Sequence, residues 1–476
     1  MINQEKKPIN INSFLSVHVA VIILSFTGLL LSQIFRIRYD DLFDLWQFIS
    51  ILTFIWILWS WYKIKLGIFN PYGLFLLAAF FFNLSPIILS LIPGNAQISL
   101  INFFPIDISA QTIIIADLCF VGLHLGALIA VKFSGRKPIR GWTISDRDLT
   151  LVGYLLILIS IYPLYLTMRE SIQLSISLGY NSLYRQSIGT GLLAGPTILA
   201  DFIVPGVLFL LVASKKNKPN LILSLFLIVG YTVAQLILGK RAVAIMPLIA
   251  YVWLWHKTIK PINFGLLTIM SSFFLFFIFP IIRVSRNIAG LSRLSWQTIS
   301  GLLANTNPFL DVLNEMGSTM QTISHTVQLI PNYRHFDWGM SYFYGLTTII
   351  PNFFWQTHPV IVHGTFGSWL ISAINPTVAR MGGSIGFSFI AEAYANFGIY
   401  GGPIIIALIG YLFVSFSEFV EKSNNKAYLA AIATYLSFFL FFARSESFAI
   451  IRPFAWYAVI PLLLCIIIPK LRPKDV

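Results

Sequence analysis

Ile282-Arg283-Val284-Ser285-Arg286-Asn287 ends one long apolar run of this chain. Gly382-Gly383-Ser384-Ile385-Gly386-Phe387-Ser388-Phe389-Ile390-Ala391-Glu392-Ala393-Tyr394-Ala395-Asn396-Phe397-Gly398 opens the next. The stretch 283–385 between them is the only long segment that cannot sit in a lipid bilayer, and it holds four of the seven histidines. Nearly everything before and after it consists of apolar runs of about 20 residues, the length that crosses a hydrocarbon core. The expected fold is an all-α polytopic integral membrane protein with one large extramembrane loop.

Composition agrees. Of 476 residues, 57% are hydrophobic and 11% charged, and mean hydropathy is +0.80. A water-soluble domain that apolar could not cover its own surface. The net charge of +14 invites a nucleic-acid reading, but the basic residues are scattered as short flanks between apolar runs. That is the pattern of membrane topology, so nucleic acid is excluded as a partner and the bilayer is the expected one. Cys119 and Cys465 both lie inside apolar runs, so neither a disulfide framework nor zinc spacing is present. The first run, Phe14 to Phe35, is long enough to span and lacks a small-residue cleavage site, which suits a retained signal anchor.

The runs predict about twelve spans: 14–35, 45–62, 72–93, 112–133, 149–168, 196–214, 220–238, 242–256, 262–282, 386–416, 427–443 and 453–469. The chain then divides into a bundle of about nine helices over 1–282, the loop over 283–385, and about three helices over 386–476. With Lys6 and Lys7 in the cytoplasm, the loops on that side carry Lys63, Lys65, Lys132, Arg136, Lys137, Arg140, Arg147, Lys215, Lys216, Lys218, Lys257, Lys260, Lys422, Lys426 and Lys470. The positive-inside rule then puts the 283–385 loop on the outer, periplasmic face.

The outer side is almost all arginine, with Lys240 alone among Arg36, Arg38, Arg169, Arg185, Arg241, Arg283, Arg286, Arg293, Arg334, Arg380, Arg444 and Arg452. Arginine keeps its charge and grips phosphate with a planar fork. Helix-end arginines that snorkel to headgroups account for Arg36, Arg38, Arg169 and Arg293. Arg241, Arg283, Arg286, Arg444 and Arg452 fit ligand binding better, because charges at helix mouths inside a bundle are costly unless partnered.

Within the loop, Pro308 to Gln328 predicts an amphipathic helix. Phe309, Val312, Leu313, Met316, Met320, Ile323 and Val327 form one face, and Asp311, Glu315, Thr322 and His325 another. A helix lying on the bilayer or packed on the bundle explains it better than a catalytic role for its carboxylates. Aromatics crowd the outer region, Trp338 and Trp355 among them. An interfacial belt and a sugar-stacking surface explain these equally. Tyr39-Asp40-Asp41 is an acidic pair after the first span, but no His, Asp or Glu ligand cluster accompanies it, so no metal is expected.

These residues together resemble the O-antigen polymerase (Wzy) family of repeat-unit polymerases. The resemblance rests on Gly239-Lys240-Arg241 opening a short apolar span and on Arg283 ending the span before the loop. Ile350-Pro351-Asn352-Phe353-Phe354-Trp355 with His358-Pro359, the Gly386 to Gly398 segment, and Ala443-Arg444-Ser445-Glu446 complete it. It covers roughly Ile237 to Pro453 and implies a membrane-embedded glycosyltransferase of the GT-C type, shared with O-antigen ligases. Such an enzyme, in the bacterial inner membrane, joins undecaprenyl-diphosphate-linked repeat units on the periplasmic side, with no cofactor and no metal. The resemblance also implies a chain-length regulator protein as a partner. The hydroxyl of one lipid-linked repeat attacks the anomeric carbon of the growing chain, and undecaprenyl diphosphate leaves. The leaving diphosphate calls for fixed cations: Arg241, Arg283 and Arg444, with Arg286 and Arg452 in support. The attacking hydroxyl calls for a base, for which Glu392 is preferred, with Glu446 and His325 as other candidates. Tyr394, Trp338 and Trp355 are candidate glycan contacts. A ligase with a lipid A-core acceptor would use the same chemistry. A lipid-linked oligosaccharide flippase would need charges deep in several helices, and the middles of most runs here are uncharged.

Overall fold

In hydrocarbon every backbone N–H and C=O must be satisfied within its own segment, so apolar runs of this length close into helices. The computed structural model describes residues 10–90, 102–135, 142–180, 182–185, 195–286, 288, 290, 295–304, 307–352, 354–381, 383 and 385–471. Among these residues all regular structure is helical. The principal helices are α1 (Ile11–Ile34), α2 (Tyr39–Lys65), α3 (Pro71–Asn83), α4 (Ser85–Ser90), α5 (Ile106–Phe133), α6 (Asp146–Leu178) and α7 (Thr197–Lys216). They continue with α8 (Lys218–Ile237), α9 (Arg241–Thr258), α10 (Phe264–Ser285), α11 (Pro308–Leu329), α12 (Met340–Thr347) and α13 (Phe366–Ile374). The last three are α14 (Phe389–Ser423), α15 (Lys426–Phe442) and α16 (Phe448–Lys470).

Each expected span falls on a helix. Among the described residues nine are long and apolar enough to cross a membrane, and the chain is a multi-pass membrane protein. The expected 72–93 span is two pieces as far as Ser90, and 91–93 lie outside the described residues. It breaks at Leu84 (φ −129°, ψ −7°), and Pro86 falls in the first turn of the second piece, where its missing N–H costs no helix bond, whereas inside a continuous helix it would. α14 also departs from a continuous helix. It begins at Phe389 and turns sharply at Gly398, whose φ of 66° is left-handed.

The centre of the bundle is α5, which is buried along most of its length. It packs against α14 through small residues. A methyl group added at Gly122 or Gly126 would collide with the carbonyl oxygens of Pro403 or Ala407, and one at Gly410 with that of Leu123. Glycines spaced by four let two helix backbones meet this closely. At the other extreme, α10 has almost no fully buried residue, as a helix facing lipid would. A π turn, Phe274–Ile278, lies just ahead of Pro280. Proline offers no N–H to the preceding turn, and a wider turn accommodates that gap.

The described residues of 283–385 pack into the bundle. Helix α11 is wedged against α3, α4, α5 and α14. Val312, Met320, Ile323 and Val327 are buried there. Thr112 Oγ1 donates to Ser324 Oγ (3.0 Å), and Ser85 Oγ donates to the Leu313 carbonyl (3.1 Å). Gly317 has Ser85 and Pro86 pressed against it. Met320, Ile323 and Phe366 of the loop belong to the same buried apolar cluster as the bundle.

The ends of α2, α7, α9 and α14 and the start of α15 lie together and carry Lys65, Lys215, Lys257, Glu421 and Lys426. The opposite ends of α9 and α14, where Arg241 and Glu392 sit, face the loop.

Candidate active site

Gly239 fixes the local geometry. Its φ of 83° suits glycine, and an added Cβ would lie 3.0 Å from both Arg286 Cβ and the Tyr180 ring. The missing side chain lets the start of α9 approach the end of α10. Arg241 is the first residue of α9. It donates to the Phe279 carbonyl (3.2 Å) and pairs directly with Glu315. Arg286 pairs with the same Glu315 oxygen at 3.1 Å, and its guanidinium lies 4.8 Å over the Tyr180 ring. Arg283 reaches Asp311 at 3.1 Å and the second Glu315 oxygen at 3.6 Å. Asp311 and Glu315 are four residues apart and so share one face of α11.

Three arginines thus converge on two carboxylates. The five side chains are 14–34% exposed, so the cluster is sheltered yet open to a ligand. Burial alone would raise the Glu315 carboxyl, but the Arg241, Arg286 and Arg283 guanidiniums outweigh it and hold the group below its ordinary range. Arg444 lies close enough to repel Arg241 electrostatically. Its guanidinium sits 5.3 Å from the Phe82 ring centre, and its Nε is buried without a hydrogen-bond partner among the described residues. Gly386 makes room for it, since an added Cβ would lie 3.2 Å from an Arg444 Nη.

Beside Arg444 the turn 444–447 is braced by two buried glutamates. Glu392, 1% exposed, accepts from Ser447 N (2.7 Å), Ser447 Oγ (2.7 Å) and Ser341 Oγ (2.9 Å), and makes no ion pair among the described residues. Asn396 extends the network to Ser341 Oγ and the Gly339 N–H. Glu446 accepts from the Phe366 and Gly367 N–H groups at the start of α13, each at 2.8 Å. Burial pushes the Glu446 carboxyl up, while those two N–H bonds and Arg334 pull it back. Arg334 stacks over Phe366 and Trp369 and pairs with Asp337 (3.2 Å). Asn83, fully buried, donates to the Ala443 carbonyl (2.8 Å) and accepts from Ser388 (2.6 Å), tying α3 to both segments.

The remaining sequence candidates stand apart from the arginine cluster. Arg452 interacts with Asp201 and Tyr457, and Asp201 attracts Lys240 as well. The Tyr394 hydroxyl donates to the Ile330 carbonyl (3.2 Å). His325 is half-buried with its ring edge-on to Phe104 (4.7 Å), and burial lowers its basicity. Trp355 packs on His358 (5.0 Å), whereas Trp338 is 74% exposed beside Phe336. Asp40 pairs with Arg38 at the surface (2.8 Å).

The sequence reading did not single out Glu315 and Asp311 as partners of the arginines. Their four-residue spacing on a polar helix face was visible, but that spacing is also what any solvated face shows. Tyr180, Asn83, Ser341 and Ser447 gave no signal at all.

The arrangement suits a doubly charged, bidentate ligand at the mouth of a membrane bundle. The sequence profile of the O-antigen polysaccharide polymerase Wzy family matches residues 14–474. No curated protein and no solved structure matches the chain at a significant level. The match extends the likeness seen over 237–453 across nearly the whole chain, including the N-terminal bundle. The chain belongs to the O-antigen polysaccharide polymerase Wzy family, whose members are multi-pass membrane polymerases of polysaccharide biosynthesis.

Proposed function

We propose that the protein polymerises undecaprenyl-diphosphate-linked repeat units on the periplasmic face of the inner membrane. The observation that carries this reading is the convergence of Arg241, Arg283 and Arg286 on Glu315 and Asp311, with Arg444 alongside. In the unliganded protein the two carboxylates are counterions that hold the guanidiniums in place. The donor's diphosphate takes over these guanidiniums. The acceptor hydroxyl then attacks the anomeric carbon of the growing chain, a C–O bond forms, and the bond to the diphosphate oxygen breaks. The diphosphate leaves with the bonding electrons, and the arginines stabilise its new charge.

The hydroxyl proton goes to Glu315. While three guanidiniums hold its proton affinity down, Glu315 is a poor base. Once they turn to the diphosphate, its proton affinity returns toward the ordinary range and it can accept. Glu392, enclosed by three donors, acts as a positioning residue for the turn that carries Arg444. The fixed guanidiniums supply the charge a divalent metal would otherwise supply, so the reaction proceeds without one.

The test is polymerisation by purified protein given lipid-linked repeat unit in excess chelator. Polymer ladders with release of polyprenyl diphosphate are expected. Activity that vanishes in chelator and returns with magnesium would overturn the metal-free mechanism and bring Asp40 and Asp41 forward.

A further inference from the structure

At the lysine end of the bundle, away from the arginine cluster, lies a cavity of about 1100 Å³ between the ends of α2, α7, α9 and α14 and the starts of α3, α10 and α15. Its wall carries four lysines, Lys65, Lys215, Lys257 and Lys426, against a single carboxylate, Glu421. Lys65 pairs with Glu418 and, at 3.3 Å, with Glu421, which Lys257 also reaches at 3.6 Å, and Lys426 pairs with Asp146 (2.5 Å); Glu418 and Asp146 lie outside the cavity lining. Lys215 makes no ion pair among the described residues. The apolar part of the wall includes Trp253, Phe264 and Leu429. Phe264 begins α10, the helix with almost no burial against the rest of the bundle. The cavity therefore borders the lipid-facing side.

We propose that this cavity binds the phosphate headgroup of an anionic lipid. The phosphate oxygens take the Lys215 and Lys257 ammoniums, and the first part of the acyl or prenyl chain lies along Phe264 and Leu429. A phosphate matches the surplus of cations, and the apolar half of the wall favours a lipid over a free phosphate. This site is independent of the proposed polymerase chemistry.

The test uses the full chain in detergent. Binding is measured by native mass spectrometry with phosphatidylglycerol, with phosphatidylcholine as the zwitterionic control and inorganic phosphate as competitor. Retention of phosphatidylglycerol over phosphatidylcholine is expected, with little displacement by millimolar phosphate. Lys215→Gln should weaken phosphatidylglycerol binding about fivefold, and Lys215→Gln with Lys257→Gln about twenty-five-fold. Equal retention of both lipids, unchanged affinity in the double variant, or full displacement by inorganic phosphate would each overturn the assignment.

Discussion

Replacing Glu315 by glutamine removes one charge from the arginine cluster and keeps the shape of the side chain. Glu315 meets Arg286 at 3.1 Å, Arg283 at 3.6 Å and Arg241 in direct contact. At about 3.5 Å and an effective dielectric of about 20, each contact is worth on the order of 5 kcal/mol before desolvation. Solvent reaches all four side chains, which reduces each pair to about 1 kcal/mol net. Diphosphate entry is thus opposed by roughly 2–3 kcal/mol, which is about thirty- to a hundred-and-fiftyfold in dissociation constant. Glu315→Gln should therefore bind polyprenyl diphosphate about thirty- to a hundred-and-fiftyfold more tightly in a calorimetric titration. Its turnover should fall by two orders of magnitude or more, because the proton acceptor is gone. Tighter binding together with slower polymerisation is the signature of a residue that is both counterion and base. The pH dependence has a definite sign. The folded-state carboxyl is depressed below the ordinary glutamate value of 4.5. Its contribution to stability is therefore full above that value and is lost as pH falls through the depressed one. The Tm gap between wild type and Glu315→Gln should be constant above about pH 5 and close under strong acid. Unchanged diphosphate affinity with normal turnover would refute the reasoning.

Further outcomes follow from the same geometry. Arg241→Lys, Arg283→Lys, Arg286→Lys and Arg444→Lys, at matched membrane levels, should each slow polymerisation about a hundredfold, the effect of losing about 3 kcal/mol of transition-state stabilisation. Long polymer on a gel at near wild-type rate from all four would make them membrane anchors. Glu392→Ala strands Ser447 N–H and two buried hydroxyls and should cost about 2–4 kcal/mol of stability, read as a lower Tm, whereas Glu392→Gln should restore most of the Tm. Labelling from the periplasmic side should modify a cysteine placed at Asn332 and spare one at Lys216, and the reverse pattern would invert the topology.

Much of the fold was legible because lipid imposes one rule, that apolar runs become helices. Every expected span overlaps a helix, but three of them, 72–93, 242–256 and 427–443, are not among the nine helices long and apolar enough to cross, and the first of these breaks at Leu84. The contrast between lysine and arginine was legible too, and it led to Arg241, Arg283, Arg286, Arg444 and Arg452, the last of which interacts with Asp201 and Tyr457 apart from the cluster. The partners of those arginines were not. Glu315 and Asp311 lie far along the chain from Arg241, and only the wedging of α11 against α3, α4 and α5 brings them together. Glu392 looked like a base because it is a lone carboxylate in a glycine-flanked segment. Its three hydrogen bonds come from Ser341 and Ser447, which no pattern ties to it. Gly239 and Gly386 were legible as motif members, but their reason, close approach to Arg286 and Arg444, is tertiary.

The most direct measurement is an experimental structure of the protein with polyprenyl diphosphate bound. The account predicts the two phosphates between Arg241, Arg283 and Arg286, within reach of Arg444, with the Glu315 carboxylate displaced from the guanidiniums. Diphosphate bound elsewhere, with the pairs to Glu315 and Asp311 intact, would contradict it.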